Sequence, residues 1–205
     1  MHVDPALHSK SDGYTLSTNL VVPRPIAWIT TLNNSGTINL APFSFFNAVG
    51  SDPLYVVISI GHRDGGSPKD TARTILDGGE FVVNMVTEEL ITAMNASAAD
   101  FPPGESELTA TGLSALPSLR VKVPRLADAQ ASLECRLFQS LPLGANTLVI
   151  GEVMMFHVPD RLISPGLHIS SFAPIGRLGS PSVYCRTTDR FELPRLTYDQ
   201  WRERV

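Results

Sequence analysis

Cysteine is nearly absent from this sequence: Cys135 and Cys185 are the only two in 205 residues. That is too few for a disulfide framework, and neither belongs to a CxxC pair, so both are expected to be free, buried thiols. Histidine is also sparse, with five residues and no HxH or HExxH spacing, which predicts no metal site. Cations do not dominate: 16 Lys and Arg stand against 20 Asp and Glu, a net charge of -4. A chain of that balance lacks the basic face of a general nucleic-acid binder, so any recognition of phosphate has to be local. No apolar run approaches the ~18 residues of a membrane span, and the start MHVDPALHSK lacks the basic and apolar regions of a signal peptide. These absences together read as a soluble cytoplasmic protein.

Turn formers are abundant instead, with 16 prolines and 15 glycines against only 18% charged and 43% hydrophobic residues. Such a composition favours a β-rich fold with many turns over long helices. The length suits one domain, residues 1–205, able to bury roughly 70% of its unfolded surface. No internal repeat or linker divides it.

Strand signals recur along the chain. Ile26 to Leu32 mixes β-branched and aromatic residues, meets the turn cluster Asn33 to Gly36 and resumes at Thr37, which is a hairpin signature. Leu54 to Ile60 and Glu80 to Val86 are short apolar runs of buried-strand type, and Lys69 to Leu76 between them has helical spacing closed by Gly78-Gly79. Glu88 to Ala99 is helix-prone and Phe101-Pro102-Pro103-Gly104 ends it. Glu105 to Pro117 reads as a loop with helical turns, long enough for a lid; Leu119 to Leu126, Ala131 to Phe138 and Thr147 to Phe156 read as strands. Short strands with a few helices favour a closed barrel.

Two motifs carry the chemistry. Asn39 to Asn47, NLAPFSFFN, interleaves small polar residues with aromatics. On a continuous strand Phe43 and Phe45 would share one face, with Ser44 and Phe46 on the other. A core strand with a proline at a bulge explains the aromatics equally well, but Asn39, Ser44 and Asn47 would cost ~1–3 kcal/mol each if buried unpaired. A flat ligand, apolar at one end and hydrogen-bonding at the other, satisfies both halves of the pattern. The second motif is the loop Gly61 to Thr71, GHRDGGSPKDT. Glycine-freed amides, Lys69 and the Thr71 hydroxyl at a helix N-terminus suit a phosphate dianion, although a solvated loop capped by Asp70 or Ser67 is the simpler reading of the loop alone. It is not a Walker A loop, since Ser67 follows Gly66. The chain also has no GxSxG elbow and no GxGxxG after a strand, which excludes the usual serine hydrolase and Rossmann signatures. Paired, the two motifs point to flavin mononucleotide (FMN).

Further motifs in the same order strengthen that reading. PRPIAW from Pro23 to Trp28, Thr30-Thr31, NLAPFSFF, Asp52-Pro53, Lys69-Asp70-Thr71, EFVVN from Glu80 to Asn84, Leu133-Glu134-Cys135, Ile150 to Val153 and PIGRLG from Pro174 to Gly179 follow one another between Tyr14 and Arg195. In this the chain resembles the flavin reductase-like, FMN-binding split-barrel family, which includes flavoredoxins and the reductase components of two-component monooxygenases. The resemblance implies an α+β fold, β-rich, with a split β-barrel of Greek-key type and a few flanking helices, assembled as a homodimer with one FMN per subunit. It places Asn39, Ala41, Pro42, Phe43, Ser44, Phe45 and Phe46 along the ring and ribityl chain, and Lys69, Asp70 and Thr71 at the phosphate. Trp28 and Thr30 would flank the flavin from the adjacent strand. Arg177 and Tyr184 would approach a nicotinamide pocket, and His157 and His168 are the candidates for a histidine there; Arg24 and Arg177 equally suit surface or interface salt bridges.

The implied activity is hydride transfer from NAD(P)H to flavin, with electrons passed to free flavin, a monooxygenase or another acceptor, and with no catalytic side chain required. Two alternatives stand beside it: an FMN-binding electron carrier without NAD(P)H reductase activity, and a barrel that has exchanged FMN for another ligand.

Overall fold

The computed structural model describes residues 2–102, 105–179 and 181–203. Seven strands form one antiparallel sheet: β1 (Ala27–Leu32), β2 (Ile38–Phe43), β3 (Phe46–Ser51), β4 (Leu54–Gly61), β5 (Glu80–Met85), β6 (Ser132–Leu143) and β7 (Asn146–His157). Their order, β2-β1-β5-β6-β7-β4-β3, puts the consecutive strands β2 and β3 at opposite edges. Only Ser44 and Phe45 join those two edges, so the sheet must curl until its ends nearly meet. The result is the split barrel expected from the sequence.

Three hairpins, β1-β2, β3-β4 and β6-β7, supply the local pairing; β5 inserts between β1 and β6. Ala27 and Ile29 point into the barrel, where they pack with Ile58, Ile60, Phe81 and Val149 under Ala72 and Ile75 of helix α2 (Asp70–Gly78). Trp28 points the other way, joining Leu40, Met94, Leu126 and Ile175 in a second apolar layer. Since both faces of β1 are covered, its residues are buried from Ala27 to Thr31. Each large apolar side chain removed from water in these layers contributes about 1.5–3 kcal/mol. Inside the barrel, Phe81 lies where a Cβ on Gly151 would stand 2.4 Å from its Cζ. Glycine at 151 is thus the condition for β7 to close over that ring.

Helix α1 (Lys10–Leu20), begun by a Ser9/Asp12 capping box, lies outside the barrel, as do the short helices α3 (Ile91–Ala96), α4 (Glu107–Ala110) and α5 (Tyr198–Arg202). The tail returns to the barrel mouth, where Gly176–Arg177 pairs with Arg24–Pro25 on one side and with Tyr184–Cys185 on the other. Of the helix stop expected at Phe101 to Gly104, Pro103 and Gly104 lie outside the described residues.

Two sequence expectations are corrected. NLAPFSFFN is not one strand: β2 ends at Phe43, the chain bends at Ser44 and Phe45, and β3 starts at Phe46, so alternation is broken where the barrel turns its corner. Leu119 to Leu126 is not a strand either, except for Arg125–Leu126. The backbone donors there find side chains rather than a neighbouring strand: Leu119, Arg120 and Val121 donate to the Glu134 carboxylate at 2.7, 2.5 and 3.1 Å, and Lys122 donates to Glu80 at 2.7 Å.

Candidate active site

Edge strand β2 tolerates Pro42, which faces Trp28 across the ladder and needs no partner on its outer side. Pro42 and Phe43 form a ridge between two adjoining cavities. The larger of the pair, about 260 Å³, is lined by Ser44, Arg24, Arg177 and Tyr184 together with Tyr14 and Thr18 of α1. The other, about 190 Å³, is lined by Asn39 and Ala41 of β2, by Arg63, and by Lys69, Asp70 and Thr71 at the start of α2. Ala98 belongs to both walls, so the ridge and the segment after α3 bound one cleft with two compartments.

The α2 compartment has the features of an anion site. Lys69 occupies the N-cap position but makes no side-chain cap, leaving the first N–H groups of a nine-residue helix to other acceptors. Asp70 does not compete as an acceptor, because its two oxygens take hydrogen bonds from Arg63 and Arg73. Among the described residues Lys69 itself makes no ion pair. Thr71 is 2% exposed, with its hydroxyl 2.9 Å from the Asn39 side chain. Oriented to satisfy every neighbour, Asn39 accepts from Thr71 and, at 3.2 Å, from the Leu40 N–H, while donating to Glu107 at 3.3 Å. The other Glu107 oxygen accepts from the Leu40 N–H at 2.9 Å. Thr71, Asn39 and Glu107 thus form a chain that holds the edge of β2 against α2 and α4.

The second compartment is cationic. Arg24 is buried and donates to three carbonyls, Thr18 at 2.5 Å, Val21 at 2.7 Å and Leu178 at 2.7 Å, which ties α1 and the returning tail to the barrel mouth. Its pKa is lowered, first by burial and also by the Arg177 charge, against an opposing influence of Tyr14. Arg177 lies over the Tyr184 ring, 4.7 Å from its centroid, and donates to the Tyr184 hydroxyl at 2.5 Å. Neither arginine makes a salt bridge among the described residues of this single chain. No carboxylate is among the residues lining this compartment.

Nine of the thirteen residues expected at the site therefore face the cleft: Asn39, Ala41, Pro42, Phe43, Ser44, Lys69, Asp70, Thr71 and Arg177. Four do not. Trp28 is fully buried in the second apolar layer, with its Nε1 donating to Ser97 at 2.8 Å, and Thr30 is buried with its hydroxyl donating to the Pro124 carbonyl at 2.7 Å. Phe46 packs on the barrel core, and Phe45 turns toward α1, 6.2 Å from the Tyr14 ring. The two histidine candidates are also elsewhere: His157 contacts the buried Glu134 at 2.5 Å, and His168 is exposed on a short strand pair. Glu107, Tyr14, Thr18 and the segment Ser97 to Asp100 are lining residues that no motif announced, whereas Arg63 lies inside the glycine-rich loop motif.

Residues 19–188 match the family described as Flavin reductase like domain. A protein of Deinococcus radiodurans with no characterised function is 42% identical over 210 residues, covering 98% of this chain and 92% of its own. Among solved structures, nitrilotriacetate monooxygenase component B from Bacillus cereus superposes with a TM-score of 0.90 at 35% identity, covering 94% of this chain and 98% of that one. The 2-nitrobenzoate 2-nitroreductase NbaA of Pseudomonas fluorescens gives 0.88 at 38% identity, with 97% and 98% covered. On the match of its own sequence over most of its length, and on the split barrel that carries the cleft, the chain belongs to the flavin reductase-like family.

Proposed function

We propose that this protein is an FMN-dependent NAD(P)H:flavin oxidoreductase, with the isoalloxazine ring against Pro42, Phe43 and Ser44 and the phosphate at the start of α2. The observation that carries the reading is the juxtaposition, in one cleft, of an uncapped helix N-terminus bearing the unpaired Lys69 with an apolar ridge that opens onto two arginines. When bound, the flavin supplies the hydride-accepting centre, so the chain itself needs no acid or base. Lys69 and the first N–H groups of α2 bind the phosphate. Thr71, whose hydroxyl donates to Asn39, ties β2 to the start of α2 and so fixes the N–H groups that meet the phosphate. Arg24 presents positive charge where the reduced ring becomes more electron-rich, and a fixed cation stabilises such charge without reorganising. Arg177 and Tyr184, on the paired strands of the returning tail, take the nicotinamide side of the cleft.

The assembly proposed is a homodimer. Val49, Leu54, Phe138, Leu141 and Phe156, on the neighbouring strands β3, β4, β6 and β7, are exposed, and a second copy covering them removes a surface that water disfavours. The physiological acceptor proposed is free flavin or a partner monooxygenase; the relative from Bacillus cereus is itself a monooxygenase component.

The test is an absorbance spectrum of the purified protein reconstituted with FMN, then mixed anaerobically with NADH and with NADPH. Bleaching of the flavin band by either nucleotide is the expected result. Retained flavin that neither nucleotide bleaches would refute the reductase and leave an electron carrier.

A further inference from the structure

The family match ends at residue 188, and the chain continues past it. Thr187 donates to the Pro174 carbonyl at 2.7 Å and Arg190 to the Phe172 carbonyl at 2.6 Å, which fixes the root of the tail. From there on the chain leaves the body: among the described residues, every hydrogen bond made by residues 191–203 is internal to that segment, and none of them forms an ion pair. The segment is nevertheless built. Thr197 and Gln200 close a capping box at the start of α5, and the Tyr198 and Trp201 rings lie 5.8 Å apart. Its apolar side chains face water, with Phe191 88% exposed, Trp201 51% exposed, and Leu193 and Tyr198 exposed between them. A five-residue helix is too short to hold itself in water, so this arm requires a surface that its own chain does not provide.

Charge narrows the choice of surface. Glu192, Asp199 and Glu203 stand against Arg195 and Arg202, so the arm has no cationic face for anionic lipid or nucleic acid. An apolar protein face remains, and this chain has one to spare. Helix α1 buries only Thr18, and Leu16, Leu20 and Val21 at its C-terminal half are exposed. The arm and α1 are both uncovered in the single chain, so they do not cover each other within one copy. The exposed strip on β3, β4, β6 and β7 is taken up in the proposed homodimer, where a two-fold axis sets it against its own copy and offers each arm the α1 of the other. Three aromatic side chains per arm, of about 150–250 Å² each, exchanged twice by that axis, remove on the order of 1,000 Å² of apolar surface, the scale of a specific interface.

We infer that residues 191–203 form an exchanged arm: each copy lays Phe191, Leu193 and the Tyr198–Trp201 pair on the outer face of the partner's α1. The inference rests on the proposed homodimer and goes beyond it, because α1 carries Tyr14 and Thr18 into the second compartment, which sets the arm of one copy beside a wall of the other copy's cleft.

Tryptophan fluorescence of the full-length protein tests it. Trp28 and Trp201 are the only two tryptophans, and Trp28 is fully buried, so quenching by acrylamide reads Trp201. Where sedimentation velocity shows a dimer, Trp201 should be shielded, and dilution to the monomer should raise its quenching several-fold. Phe191→Asp combined with Tyr198→Asp, at two exposed positions, should leave Trp201 quenchable throughout and raise the dimer dissociation constant at least tenfold. A dimer whose Trp201 stays fully quenchable would overturn the arm and leave the homodimer standing; shielding that persists in the diluted monomer would put the arm on its own copy and also overturn the exchange. A protein that is monomeric at every concentration would overturn arm and homodimer together. A short bis-maleimide locates the receiving face. Co-expressed Ser17→Cys and Arg202→Cys copies, both carrying Cys185→Ser and leaving Cys135 buried, should give a product of twice the chain mass that neither variant gives alone. Its absence would overturn the assignment to α1.

Discussion

Replacing Lys69 with alanine should weaken FMN binding while sparing riboflavin. The side chain is exposed at the N-cap of α2, makes no side-chain cap and has no ion-pair partner among the described residues, so its removal breaks no visible contact of the fold. What it removes is a charge-assisted hydrogen bond to a dianion. Such a bond contributes ~1.5–3 kcal/mol, and the helix N-terminus that remains supplies a further ~0.3–1 kcal/mol to the anion in either variant. The expected loss is therefore about 10- to 100-fold in the FMN dissociation constant, with the smaller figure favoured by the exposure of the ammonium group. Flavin fluorescence quenching, titrated in parallel with FMN and with riboflavin, reads the effect. Riboflavin keeps the ring and ribityl contacts but has no phosphate, so its affinity should move by less than about twofold on the same reasoning. Equal losses for both ligands, or no loss for either, would refute the placement of the phosphate at α2. Adding salt should narrow the difference between natural sequence and variant, since screening acts on the exposed charge that the substitution removes.

Three other substitutions probe different links. Gly151→Ala drives a methyl into the Phe81 ring, 2.4 Å from Cζ, and should destabilise the barrel by about 1–3 kcal/mol, read as a lower denaturant midpoint at unchanged m-value. Glu134 is fully buried; burial raises its pKa, but N–H donation from Leu119, the His157 contact and N–H donation from Arg120 outweigh this and leave it below the usual carboxylate value. A depressed carboxylate stabilises the fold above its unfolded pKa and loses that contribution as pH falls through the folded one, so the melting temperature should drop steeply below about pH 4. Glu134→Gln should flatten that acid limb and cost about 3–5 kcal/mol at neutral pH, because three backbone donors lose a charged acceptor; an unchanged acid limb would show that Glu134 is not the group titrating. Arg177→Gln should raise the KM for the nicotinamide donor several-fold without changing FMN affinity, and stopped-flow flavin bleaching against donor concentration measures it; a loss confined to FMN binding would place Arg177 with the ring instead.

Strands and hairpins were legible because their signals are local. The β1-β2 turn announces itself in Asn33 to Gly36, where the Asn33 side chain accepts from the Ser35 and Thr37 N–H groups at 3.0 and 2.8 Å, and α2 ends where Gly79 adopts a φ of 71°. Helix α1 escaped notice since only one of its residues, Thr18, is buried; without an apolar stripe, the Ser9/Asp12 capping box was its sole signature. Leu119 to Leu126 misled for the opposite reason. Its residues alternate as a strand would, but their amides are satisfied by carboxylates brought in from β5 and β6, a pairing set by tertiary position and invisible in the segment itself. The site divides along the same line. Motif residues on β2 and α2 line the candidate cleft, whereas Tyr14, Ser97 and Glu107 reach it from helices and loops whose own sequences carry no ligand pattern. Trp28 and Thr30 lie on β1 beside the strand that carries the cleft motif, but both side chains are covered: Trp28 belongs to the second apolar layer and the Thr30 hydroxyl donates to the Pro124 carbonyl.

Charge along the cleft gives direction to whatever lies in it. At the tail end, Arg24 and Arg177 line a compartment without a carboxylate; in the middle, Lys69 is unpaired and Asp70 is neutralised by two guanidinium groups; past the helix, Asp77 and Glu105 make the wall acidic. A phosphate is therefore favoured beside Lys69 and toward the arginines, and opposed at the acidic wall past the helix. Arg24 is the group most dependent on this arrangement. Its guanidinium is desolvated and pushed down in pKa, yet an arginine stays charged at neutral pH, and its visible partners are carbonyl dipoles rather than an anion. A buried cation held only by dipoles retains an unspent field, and negative charge arriving on a reduced ring is the event that field is placed to stabilise.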